Sequence, residues 1–365
     1  MSRHRHLAAA IGLQLLQPLH SWEPARPERK LEFPRDHGAH RNSAYEWWYW
    51  TGHLQNAAGT DIAGFQATVF RISPPAGPRP ARGNRPADAS WIMVHTGFTD
   101  LLTGKFHHRK WSFQERDGTT LSQNELQIDV PGLKASMSGT QKFLLEFALP
   151  QGNEATPATL KLDMSSQKPV VLHGDQGFSR KGPCPSCASH YSSFTRIAGK
   201  FSLDRQINGE TQTGEVRAWY DHEFGSQTLT SEQTGWDWFS IQLDDPQEEW
   251  MLFQVRGESA QSATWVKPSG ESQSVSGVLM KPEGQWKSPR SGGVYPGAWT
   301  LQIPGKEAHF RVVPRLPDQE VLSTHPAIPT YWEGACDVLD AKSGKKIGRA
   351  YLEMTGYAPG SRPGI

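Results

Sequence analysis

Cysteine is scarce in this 365-residue chain: Cys184, Cys187 and Cys336 are the only three, too few to build a disulfide scaffold. An excess of one charge is also missing. Lys and Arg total 38 against 37 Asp and Glu, a formal net charge of +1, so no global field draws the protein to nucleic acid or to an anionic membrane. No run reaches 18 apolar residues, which excludes a transmembrane helix. H-E-x-x-H, G-x-S-x-G, a Walker loop and a dinucleotide fingerprint are all absent. Gly177-Phe178-Ser179-Arg180-Lys181 comes near a nucleophile elbow but lacks its last glycine. No cofactor is expected.

What the chain does have is rings and turns. It carries 14 Trp, 15 Phe and 8 Tyr beside 35 Gly and 27 Pro, a mixture that favours strands and tight connections over helices. Its length predicts two domains at about 150 residues each. Tyr45–Leu54, a turn at Asn56–Asp61 and Ile62–Ile72 read as a hairpin. Similar short runs recur as far as Ile347–Thr355, the spacing of a β-sandwich or barrel protein. Residues 73–89, rich in Pro, Arg and Gly, form a loop long enough to be a lid or an insertion.

The chain also repeats itself. Asp36-His37 precedes Trp47-Trp48-Tyr49 and Leu54, and Asp221-His222 precedes Trp236-Asp237-Trp238 and Leu243. The first copy runs on to Phe70-Arg71, the second to Val255-Arg256. Arg217-Ala218-Trp219-Tyr220-Asp221 resembles Arg349-Ala350-Tyr351-Leu352-Glu353. Matching beginnings and ends imply two homologous domains meeting near residue 225, each with enough strands for an antiparallel barrel able to hold a ligand.

Asp36-His37-Gly38, Glu46-Trp47-Trp48-Tyr49-Trp50-Thr51-Gly52, Gly64-Phe65-Gln66, Trp219-Tyr220-Asp221-His222-Glu223, Gly235-Trp236-Asp237-Trp238, Tyr331-Trp332-Glu333-Gly334 and Leu352-Glu353-Met354-Thr355-Gly356-Tyr357 occur in that order. This string resembles the AttH / carotenoid 1,2-hydratase (hydroxyneurosporene synthase) family, often labelled secreted hydrolases, across about residues 31–357. The resemblance implies an all-β chain of two tandem lipocalin-like antiparallel β-barrel domains. They would occupy 31–225 and 226–358, after a signal segment and linker at 1–30. Its members include hydratases of acyclic carotenoids and exported proteins encoded beside lipid-type ABC exporters. Two functions follow. One is a hydro-lyase that binds an elongated apolar ligand (a polyene, lipid or acyl chain) and adds water to an isolated C=C. The other is a periplasmic carrier or accessory to an ABC transporter permease.

Hydrating an isolated alkene needs a strong proton donor, a pocket that tolerates a carbocation, and a positioned water. A carboxylic acid kept protonated by apolar surroundings can donate, and aromatic faces stabilise the cation. Asp221 is the candidate acid, which the resemblance supports. His190 is the candidate for handling water, and Trp219 or Tyr220 for supporting the cation. The hydratases are expected to have a tryptophan two residues after that histidine, where this chain has Ser192. Strand alternation puts Trp219, Asp221 and Glu223 on one face and Tyr220 and His222 on the other. Trp48, Trp50, Tyr191, His222, Glu223, Trp236 and Trp238 are the candidate substrate contacts. Asp175, Ser179 and Lys181 are expected near the cavity mouth, and Glu46 with Arg71 as a buried pair.

Cys184-Pro185-Ser186-Cys187 with His190 has a metal-like spacing, but zinc takes four ligands and only Cys336 remains as a thiol. No metal is expected. Arg3 and Arg5 before the apolar stretch Leu7–Leu19 suggest export, although Gln14 and Gln17 interrupt the stretch and no cleavage site follows. An exported protein would join Cys184 to Cys187, and a cytoplasmic one would leave them as thiols.

Overall fold

The computed structural model describes residues 22–73, 90–116, 118–149, 158–184, 187–205, 210–226, 230, 232–257, 260–305, 309–323 and 329–361. The suggested export segment and the Pro/Arg/Gly loop beyond residue 73 lie outside these. Among the described residues the chain is all-β, with one short 3₁₀ turn at Arg35–His37. Two curled antiparallel sheets form two tandem lipocalin-like domains.

The first sheet runs in space from Lys105–Gln114 through Trp91–Asp100, Asp61–Ile72, Tyr45–Gln55, Glu210–Gly225 and Ala188–Arg205. It continues through Ala158–Ser166, Lys142–Leu149, Leu133–Ser138 and Gln127–Val130 to Thr120–Leu121. The second repeats this path. Ser272–Val275, Ala260–Val266, Glu249–Arg256, Gly235–Leu243, Lys346–Thr355 and Tyr331–Asp340 lead to His309–Pro314, Ala298–Gln302 and Leu279–Glu283. In each sheet the two edge strands are consecutive in the chain, so the sheet curls back toward itself. The edges do not pair, and each domain is a half-barrel rather than a closed one.

Register bears out the strand pairs of the sequence repeat but not its opening: Asp36-His37 lies in the 3₁₀ turn before the first sheet, whereas Asp221-His222 lies within Glu210–Gly225 of that same sheet, so the two do not correspond. Trp47 pairs with Phe70 as Trp236 pairs with Val255. Tyr49 pairs with Asp221 as Trp238 pairs with Glu353, and Ser193 pairs with Asp221 as Glu333 pairs with Glu353. Glu353 is thus the second-sheet counterpart of Asp221, and Tyr331 that of Tyr191.

Alternation along the strands divides the rings between three clusters. Trp48, Trp50, Phe65, Phe143, Phe194 and Tyr220 pack inside the first sheet. Phe239, Trp250, Trp299, Trp332 and Leu352 pack inside the second. Among the described residues these two clusters fill much of each interior. A third cluster, with Tyr49, Tyr191, Trp219, Trp238, Phe253 and Tyr351, joins the outer faces of the two sheets.

Polar contacts fix that junction. Glu249 of the second sheet takes Lys168 Nζ at 2.7 Å and the Arg196 guanidinium, all three buried. Gln242 Nε2 donates to the Thr195 and Ala218 carbonyls at 2.7 and 2.9 Å, and Arg349 Nε reaches Asp61 Oδ1 at 3.0 Å. Close approach also demands a glycine: a Cβ on Gly64 would sit 2.5 Å from the Ala335 Cβ of the opposing sheet.

Candidate functional site at the junction of the two sheets

Where the outer faces meet, they leave a cavity of about 60 Å³. Its walls come from equivalent positions of the two sheets. Trp47, Tyr49, Tyr191 and Asp221 face Trp236, Trp238, Tyr331 and Glu353, with Phe70 and Phe253 completing the apolar part. Trp47, Phe70 and Trp236 are half-buried. The other charged groups on the wall are Glu223, Glu333 and Lys181, so the cavity carries more polar groups than an apolar ligand site was expected to have.

Asp221 is buried beside this space and forms no ion pair with a cation among the described residues. Tyr191 Oη donates to its Oδ2 at 2.6 Å, Trp219 Nε1 donates to its Oδ1 at 2.6 Å, and the Ser193 hydroxyl donates to the same Oδ1. Burial pushes its pKa up to about 7 against the opposing pull of these three donors, and the Glu223 charge adds to the rise. At neutral pH a sizeable fraction is therefore the acid. Tyr191 is itself oriented by Trp238 Nε1 of the second sheet at 3.0 Å. Behind Ser193, His173 Nε2 lies 2.6 Å from Ser193 Oγ, and its Nδ1 lies 2.9 Å from Thr264 Oγ1. Burial holds His173 down at about 3, so it is a neutral imidazole in this chain of hydrogen bonds.

Glu223, two residues on, has a different environment. Lys181 Nζ lies 3.0 Å from its Oε1, with the ammonium 4.3 Å from the Phe253 ring centre and 4.9 Å from that of Tyr191. This pair is internally neutral, which leaves Asp221 as the first sheet's carboxyl without a countercharge on the wall.

The expected site residues separate by strand parity. Asp221, Glu223, Tyr191, Trp236 and Trp238 line the cavity, and Trp219 supports Asp221 from behind. Trp48 and Trp50 do not line it: they point into the first core, and their odd-numbered neighbours Trp47 and Tyr49 take the wall. Tyr220 also faces that core, 5.1 Å from Trp50 between ring centres. His190 pairs with Phe224, two strand positions from His222, and so lies on the face away from Asp221. Its Nε2 accepts the Arg26 N–H at 3.3 Å, and burial pulls it down to about 4. It cannot handle water at Asp221. Of the loop candidates Lys181 reaches the cavity, and Asp175 and Ser179 do not.

His222 belongs to a separate buried network. Glu46 and Arg71 form the expected pair, 3.1 Å apart and both fully buried. His40 Nδ1 and His222 Nε2 bind Glu46 Oε1 at 2.7 and 2.9 Å. The second nitrogens are also taken, His40 Nε2 by Asp36 Oδ1 at 2.9 Å and His222 Nδ1 by the Asp36 carbonyl at 3.1 Å. His40, Glu46 and His222 are the three side chains among the described residues whose ligand atoms gather within 4.8 Å. Every ring nitrogen is bonded within this network and Arg71 is paired with Glu46, so these contacts by themselves hold the three side chains together. Cys184 and Cys187 form a disulfide with Cα atoms 5.1 Å apart, and Cys336 is a buried thiol.

Strand alternation groups Trp47 with Tyr49 without saying which face they take, and the internal repeat, which sets Asp221 against Glu353, is a signal for Glu353 but not for Glu333, whose counterpart is Ser193.

Solved structures share this architecture. A protein assigned as an AttH from Nitrosomonas europaea superposes with a TM-score of 0.76 at 30% identity, covering 92% of this chain and 99% of that one. Kievitone hydratase from Nectria haematococca superposes with a TM-score of 0.65 at 14% identity, covering 92% and 95%. No curated protein matches the chain. The AttH-like family matches residues 24–357, which takes in both sheets and every residue of the cavity: the chain belongs to the AttH-like family.

Proposed function

We propose that this protein adds water to an isolated carbon–carbon double bond at the branched end of an elongated apolar molecule, with Asp221 as the general acid. The observation that carries the reading is Asp221 itself. It is a carboxyl without a cation partner, buried at the wall of an aromatic cavity and held near neutrality by burial. In the reaction Asp221 gives its proton to the less substituted alkene carbon. The tertiary cation that results lies among Tyr49, Trp236, Trp238 and Phe253, whose π faces stabilise positive charge. Tyr191, Ser193 and Trp219 then stabilise the Asp221 carboxylate left behind. The volume of about 60 Å³ suits the terminal branch of a chain rather than a whole polyene, so the rest of the ligand would leave past Trp47, Phe70 and Trp236. That kievitone hydratase has the same fold is in keeping with water addition on this scaffold, and a carotenoid-type or other isoprenoid terminus is the substrate class proposed. Export to the periplasm is part of the proposal, resting on Arg3, Arg5 and the stretch Leu7–Leu19.

The test is incubation of purified protein with acyclic isoprenoids bearing a terminal trisubstituted alkene, followed by mass analysis for the tertiary alcohol. Product from the wild type and none from Asp221→Asn is expected. A ligand that binds and is never hydrated would refute the enzyme reading and make the protein a carrier.

A further inference from the structure

The second-sheet wall of the cavity holds two carboxyls for which acid donation by Asp221 has no use. Glu333 and Glu353 are direct cross-strand partners, a placement that sets two side chains next to each other on one face. Both line the cavity. Glu333 is buried, and Glu353 lies as deep while keeping part of its surface open. Their hydrogen-bond partners are neutral. The Tyr49 and Tyr331 hydroxyls donate to Glu333, and Trp236 Nε1 donates to Glu353 at 3.0 Å. Among the described residues no Lys or Arg forms an ion pair with either. Lys110 acts on Glu333 through its field alone, because its ammonium is held by the Pro329 carbonyl at 2.9 Å and the Tyr331 ring at 4.5 Å.

Two adjacent carboxylates without an ion-pair partner, which the Lys110 ammonium reaches only through its field, cannot both ionise cheaply, and such a pair favours keeping one proton between its members. Burial raises both acids above the ordinary range, and their repulsion adds to this for Glu333. Asp221, Glu223 and Asp237 add to it for Glu353, while Tyr351 faces Glu333 without a charge. Glu353 is also the repeat counterpart of Asp221, so each sheet contributes one carboxyl from the same strand position to one cavity.

We infer that Glu333 and Glu353 share a single proton and act together as the base of the hydration, opposite the acid Asp221. The inference rests on the reaction proposed above and supplies its second half. Once Asp221 has protonated the alkene, a water oxygen forms the C–O bond to the cation. One water O–H bond breaks, and its proton passes to the ionised member of the pair. The pair then holds two protons and Asp221 none, and return of one proton through solvent restores both. The sum is alkene plus water giving alcohol.

The experiment is infrared titration of protonated carboxyls in the full-length wild type, Glu333→Gln and Glu353→Gln, with turnover measured on the same samples. Removing one member frees the other from like-charge repulsion. The remaining acid should titrate at least about one pH unit below the upper midpoint of the wild type. Turnover should fall by about 10²-fold or more in kcat with KM nearly unchanged, and Glu353→Asp should recover part of it. Unshifted midpoints in both variants would overturn the shared proton, and shifted midpoints with undiminished kcat would overturn the base. If a Gln variant fails to fold, Glu353→Asp takes its place, with a retained upper midpoint and reduced kcat expected and unchanged kcat refuting the base. A wild type that hydrates nothing, with midpoints shifting as stated, would refute the Asp221 reaction and leave the shared proton standing.

Discussion

Replacing Asp221 by Asn should make the protein more stable relative to the wild type as pH rises, even while it removes the proposed acid. Folded Asp221 is pushed up to about 7 from 3.8, chiefly by burial. In the unfolded chain it ionises near 4. The folded state therefore holds a proton that the unfolded state has released across the window from about pH 4 to 7. Its stability falls through that window and levels off above it. The full displacement is worth roughly 4 kcal/mol at about 1.4 kcal/mol per pH unit, of which roughly 2–3 kcal/mol accrues between pH 5 and 8. Asn carries no such dependence. It costs about one hydrogen bond, because its amide can accept at one end only, facing Tyr191, Ser193 and Trp219, and that loss of about 1 kcal/mol is independent of pH. Urea unfolding followed by tryptophan fluorescence at pH 5 and pH 8 measures the difference. The gap between variant and wild type should move in favour of Asn by roughly 2–3 kcal/mol from pH 5 to pH 8. Parallel pH curves would refute the claim that Asp221 is an acid held protonated by its surroundings.

Other consequences can be checked separately. A cavity shaped for a carbocation should prefer a permanent positive charge, so a branched alkyl ammonium should bind at least about 10-fold more tightly than its neutral hydrocarbon isostere; equal affinities by fluorescence titration would count against the cation role. Trp50→Ala should cost about 3–5 kcal/mol by hollowing the first core, whereas Trp47→Ala at the half-buried rim should cost little stability and weaken ligand binding, and the reverse pattern in paired unfolding and binding assays would contradict the parity assignment. Arg71→Met should destabilise by about 3–5 kcal/mol because Glu46 is left buried without its charge partner. Calorimetric unfolding of the two proteins at one pH measures the loss, and a change below about 1 kcal/mol would refute the network.

Much of the fold could be read in the chain because antiparallel strands announce themselves locally. The hairpin Tyr45–Gln55 with Asp61–Ile72 and the closing strand Lys346–Thr355 follow aromatic and β-branched runs. Leu133–Ser138 was not legible, since its alternation is regular but it has no aromatic or β-branched residue, nor was Ser272–Val275, a polar edge strand held by one neighbour. The long strand Ala188–Arg205 begins six residues before its apolar run at Phe194, because Ser189, Ser192 and Ser193 are buried there by partners from other strands. The site was legible only in part, for a related reason. Local sequence shows that Trp47 to Trp50 must alternate, but which parity faces the other sheet depends on how two distant segments pack. His190 stands beside Tyr191 in sequence, yet a single strand step puts it on the opposite face. Glu333 and Glu353 belong together only through cross-strand register. The repeat that equates Asp221 with Glu353 was in the chain, but their meeting at one cavity is a property of the packed domains.

The central claim, that Asp221 protonates an alkene in the cavity between the sheets, is tested most directly by deuterium incorporation. Wild-type and Asp221→Asn protein are incubated in D₂O with an isoprenoid ending in a trisubstituted alkene, and the alcohol is analysed by mass spectrometry and NMR. The account predicts one carbon-bound deuterium beside the new carbinol centre from the wild type, and a yield at least about 10²-fold lower from the variant. Equal deuterated product from both proteins, or a bound alkene that the wild type leaves unchanged, would contradict it.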